Sequence, residues 1–189
     1  MMRFLTRILN LFFYPATEWT KIAEENNNRK TVYVQFVLPL MCLMTIANII
    51  GIWFNASREL FTVGLLVCEI AILWTSLGAG LYFSAFVITE IMAQQLGSKD
   101  HNRDFALIAY SLGAAYLVMI VVGLFPFFNE FLVLAFYSGY LYWLGIPHLI
   151  KVEGRQRMIY GLLSPVIFIL THSLAFFFFG RVLRALLLT

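Results

Sequence analysis

Apolar residues fall in five long runs, at about 31–54, 60–83, 105–125, 128–150 and 158–179, with short polar stretches between them. Each run reaches the roughly 20 helical residues that a hydrocarbon core of about 30 Å requires. The separators are 55–59, 93–104, the very short 126–129, and 151–157. Residues 85–96 continue the second run without proline or glycine, so its helix is expected to project beyond the membrane edge.

Ahead of the runs, residues 1–14 carry Arg3 and Arg7 within an apolar stretch, but no small-x-small cleavage pattern follows, which excludes a cleaved signal peptide. At helical spacing Arg3, Arg7, Asn10 and Tyr14 share one face, as in a short helix lying in the headgroup plane. Pro15 should end that helix, and Thr17 should cap a second one carrying Trp19 at the membrane interface. The polar residues 24–30 close this region. The pattern predicts an all-α integral membrane protein, a five-helix transmembrane bundle over 31–189 preceded by cytoplasmic interfacial helices over 1–30.

Composition strengthens that expectation. With 61% hydrophobic and 12% charged residues, the chain has too little polar surface to coat a soluble globule of 189 residues. Ten of its 13 basic residues fall on the side shared by the N-terminus and the second and fourth loops of a five-span chain. That asymmetry puts the N-terminus in the cytoplasm and the C-terminus outside, in a cell membrane that is the inner membrane if the source is bacterial. Cys42 and Cys68 lie in apolar stretches and read as small buried hydrophobes.

Polar residues inside the runs are the candidates for chemistry. Glu69 lies in the second run, where an ionisable side chain is costly and marks a functional site by default. Three readings fit it: a glutamate that pins helix packing, a proton, cation or ligand site, or a side chain exposed to a water-filled space. His172 sits midway along the fifth run beside Thr171 and Ser173, and pairing of Glu69 with His172 across the bundle is one arrangement. Ser76, Gly80 and Ser84 recur every four residues and permit close helix approach, either within the bundle or in a homodimer. No metal-ligand spacing, phosphate loop, dinucleotide fingerprint or nucleophile elbow is present, so no catalytic residue, cofactor or nucleic-acid partner is expected.

Several segments in order resemble the Yip1-domain family: Pro15-x-x-x-Trp19-x-x-Ile22, then Tyr33 to Pro39, Tyr110-Ser111-Leu112-Gly113, and the stretch from Gly139 through Trp143 and Gly145 to Ile146. The chain looks like the compact bacterial branch, since the Asp-Leu-Tyr-Gly-Pro motif of eukaryotic members is missing. The resemblance implies five spans, a cytosolic N-terminus and a non-enzymatic, membrane-organising role. Two function classes follow. One is a scaffold or adaptor acting on membrane lipids or another membrane protein. The other is a small transporter or lipid-handling protein using Glu69 and His172, suggested also by the helix breaks at Pro126, Gly145 with Pro147, and Pro165.

Overall fold

The computed structural model describes residues 2–55, 63–96, 100–150, 152 and 154–187, and every element among them is helical. Helix α1 (Met2–Phe13) and helix α2 (Pro15–Glu25) come first. Pro15 opens α2, where its missing N–H would have had no partner, and Asn26 in the left-handed conformation closes it. Thr17 is not the cap expected of it. It lies inside the first turn and donates its hydroxyl back to the Tyr14 carbonyl at 2.9 Å.

The first apolar run is one helix in three parts: α3 (Arg29–Val32), a π-turn (Tyr33–Val37) and α4 (Leu38–Asn55). Asn28 caps it, accepting from the Thr31 N–H at 2.8 Å. The π-turn has a covalent cause. Pro39 has no N–H for the Gln35 carbonyl and its ring crowds that oxygen, so the backbone widens and Leu38 bonds instead to Tyr33, five residues back. Helix α5 (Val63–Leu96) runs for 34 residues, so the helix continues without interruption through 85–96 as expected. Helix α6 (His101–Leu124) starts at Asp100, whose carboxylate accepts from the N–H groups of Asn102 and Arg103. The loop expected at 55–59 lies outside the described residues beyond Asn55.

Four stretches are long and apolar enough to cross a membrane, Arg29–Phe54, Leu66–Ile91, His101–Leu124 and Gly154–Leu186, which corrects the expected five. The run expected at 128–150 is instead composite: a 3-10 helix (Pro126–Phe136) kinked at Phe128, then α7 (Tyr137–Leu149). The aromatic spacing explains the tight winding. Phe125, Phe128 and Phe131 recur every third residue and meet edge-on at 6.0 and 5.0 Å, an alignment that three residues per turn provide. The composite segment nevertheless retraces α6. Ser138 accepts from the Ala115 N–H at 2.9 Å, and Arg103 donates to the Leu149 carbonyl at 3.2 Å, which sets the end of α7 beside the start of α6.

Helix α8 (Gly154–Leu187) continues well past residue 179 and packs along α5, the most extensive helix contact in the molecule. At the centre stands α6, with 72% of its apolar stretch buried against 11% of that of α8. Helix α1 crosses the flank of the bundle obliquely, from Phe36 past Tyr110 to Tyr137. Cys68 is buried and Cys42 half-buried, both as free thiols.

Candidate functional site

At the end of the bundle where α6 begins, Arg7 turns inward rather than toward lipid. Its guanidinium donates to Glu25 at 2.7 Å and to the Tyr110 hydroxyl at 3.2 Å, lies 3.3 Å from Glu18, and sits over the Tyr110 ring. Asn10 and Lys21 complete the shell of Glu18 at 3.0 and 3.7 Å. The hydrogen bond that Arg7 donates to Glu25 holds the Arg7 pKa above its ordinary value against the opposing effect of burial, so Arg7 is always a cation. Arg7, expected as an interfacial anchor, is thus engaged with protein groups of α2 and α6. Pro15 folds α2 back so that two carboxylates face α1, and a buried Glu18 binds the nearest guanidinium. Toward its C-terminal end α1 turns large apolar and aromatic side chains outward, with Phe13 and Tyr14 each 68% exposed. The side chain of Arg3 lies outside the described residues.

Trp19 is fully buried and contacts protein rather than headgroups, a correction to its expected place. Its ring meets Tyr110 edge-on and fills a notch left by Gly145, where a Cβ would fall 2.8 Å from the indole and 2.5 Å from Leu107. Gly113 admits the Phe36 ring in the same manner. Both glycines belong to the segments that carry the family resemblance, and both serve the same physical purpose, which is to receive an aromatic ring.

Along the seam between α5 and α8, Ser76 and Ser84 are buried, and Gly80 between them receives the His172 ring, which a Cβ would approach to 2.8 Å. His172 is held by the Phe168 carbonyl at 3.1 Å and stacks on the Phe168 ring. The small-residue stripe is therefore used inside the chain. Glu69 does not pair with His172. Its carboxylate accepts from Arg184 of α8 at 3.0 Å, about 16 Å farther along α5 at 1.5 Å per residue, because the antiparallel register sets Gly80 opposite His172 and Glu69 opposite Arg184.

Sequence reasoning missed Asp104. Taken as the end of a loop, it lies within α6 at 4% exposure, with Thr89 of α5 in hydrogen-bonding reach and Tyr142 and Tyr160 around it. Tyr142 and Ser164 are buried beside each other and are among the residues lining a small, largely apolar cavity of about 60 Å³. Asp100 was the available signal, since a helix capped there places Asp104 on the same face as Ile108 and Ser111.

At the opposite end α4 and α5 scarcely touch and leave a cleft of about 400 Å³, lined by Thr45, Asn48, Ile52, Glu69, Leu73 and Phe176. An adjoining hollow of about 540 Å³ shares Asn48, Ile52 and Leu73 and extends to Gly123 and Pro126. Trp74 donates its indole N–H to Thr45 at 2.8 Å, and the Asn48 amide donates to the Met44 carbonyl at 2.8 Å.

Long apolar helices around a buried central one, with their polar groups turned to each other, define a multi-pass helical membrane protein. The Yip1 domain matches residues 9–175, and the chain belongs to the Yip1-domain family. No curated protein and no solved structure matches the chain.

Proposed function

We propose that this protein is a non-enzymatic membrane scaffold or adaptor of the Yip1 type, organising lipids or partner proteins from a cytoplasmic platform built by α1 and α2. The observation that carries the reading is the family match over 9–175, which takes in the Trp19–Gly145 and Phe36–Gly113 joints as well as the membrane helices. The Arg7 network and buried Trp19 tie α1 and α2 to the bundle as a fixed surface, as a scaffold requires. The proposed orientation is N-terminus cytoplasmic and C-terminus outside, in the inner membrane of a bacterial source. It is supported by the ten-of-13 basic asymmetry and by the composite segment retracing α6, which adds a crossing to the four long helices.

The test uses crosslinking from the exposed face of α2 in native membranes, followed by pull-down. A discrete set of membrane proteins, unchanged by Glu69→Gln, is the expected result. Solute flux in proteoliposomes that Glu69→Gln abolishes, with fold and topology intact, would replace the scaffold by a transporter. One observation favours lipid handling as the second reading: Glu69 lines an open cleft among membrane helices.

A further inference from the structure

We infer that the cleft between α4 and α5, at the end of the bundle remote from α1 and α2, binds one glycerophospholipid whose head carries both a phosphate and an ammonium group. Both flanking helices cross the membrane, so the medium at the cleft mouth is acyl chain. Its volume of about 400 Å³ far exceeds the roughly 30 Å³ share of a single water. The walls are apolar, formed by Ile49, Ile52, Leu66, Leu73 and Phe176, and suit a hydrocarbon tail.

Among the described residues that line the cleft, the one charged side chain is that of Glu69. Glu69 lines the cleft and Arg184 reaches it from α8, with side chains 35% and 54% exposed. The guanidinium matches a phosphate through paired N–H donors, and the carboxylate matches an ammonium. A purely anionic head would leave Glu69 facing like charge, and a purely cationic head would do the same to Arg184. The two residues pair with each other at 3.0 Å, so neither stands as an isolated charge. Deeper in, Asn48 gives one amide N–H to Met44 and has a second for an ester carbonyl. The adjoining hollow of about 540 Å³, which shares Asn48, Ile52 and Leu73, gives a second tail its place. This inference needs only that the helices cross a membrane, and it stands or falls apart from the scaffold reading.

The experiment places the full-length protein in nanodiscs of equimolar phosphatidylethanolamine and phosphatidylglycerol, releases it into mild detergent, and weighs retained lipid by native mass spectrometry. Wild type should keep one phosphatidylethanolamine per chain, several-fold over phosphatidylglycerol. Glu69→Gln with Arg184→Gln should abolish that preference, and Ile52→Trp, which fills the cleft away from the charges, should abolish retention. Retention in the ratio of the bilayer, as for annular lipid only, overturns the site. So does unchanged retention in a folded Ile52→Trp protein. Should Ile52→Trp not fold, the charge-neutral double variant decides alone, and an undiminished preference there overturns the proposal.

Discussion

Single side chains in this protein matter mainly through what they leave unpaired when removed. Glu18 is a buried carboxylate whose nearest cation is Arg7, so Arg7→Ala leaves it only the more distant and exposed Lys21 and the Asn10 amide. The expected loss is about 3 kcal/mol of stability, read by denaturation in detergent, and Arg7→Lys should recover only part of it because the forked contact with Glu25 is gone. A denaturation midpoint unchanged in Arg7→Ala would mean that the ion-pair network is decorative. Gly145→Val tests the Trp19 notch. A side chain there meets the indole and Leu107 at once, and the expected cost is about 1–3 kcal/mol of overpacking. Arg7 and Trp19 were legible in the sequence as residues that mattered, but their direction was not. A helical wheel ranks the faces of one helix, whereas Glu18, Glu25 and Gly145 reach them from other elements.

At the scale of the element, proline, glycine and aromatic spacing decided most departures from regular helix. Pro39 sets the π-turn, and phenylalanines at every third residue go with the 3-10 stretch after Pro126. That composite segment carries the next prediction. Glu130 near its start and Arg155 beyond its end are both exposed, so cysteines placed there, with Cys42 and Cys68 replaced, should label from opposite sides of the membrane with an impermeant maleimide. Labelling of both from one side would return the segment to a re-entrant role. The seam between α5 and α8 depends on Gly80, where Gly80→Leu should force out the His172 ring and separate the two helices. Loss of the Glu69–Arg184 contact, followed as crosslinking between cysteines at those two positions, is the readout.

For the whole molecule, an odd or even number of crossings decides where the chain ends. If, as proposed, the composite segment adds a fifth crossing, the C-terminus lies opposite the N-terminus, and a reporter fused after Thr189 should be active only outside the cytoplasm. Activity confined to the cytosol would reduce the crossings to the four long helices. The all-helical membrane class, the length of α5 and the Yip1 family were decided by the sequence alone, because run length against bilayer thickness and ordered Pro, Trp and Gly spacings are local properties of the chain. The direction of Arg7, the burial of Trp19, the partner of Glu69, the Asp104 cluster and the outer cleft were decided only by tertiary structure. Each depends on which residue of a distant helix arrives opposite, and that register is set by packing between helices, notably a ring in a glycine notch, rather than by any pattern along one of them.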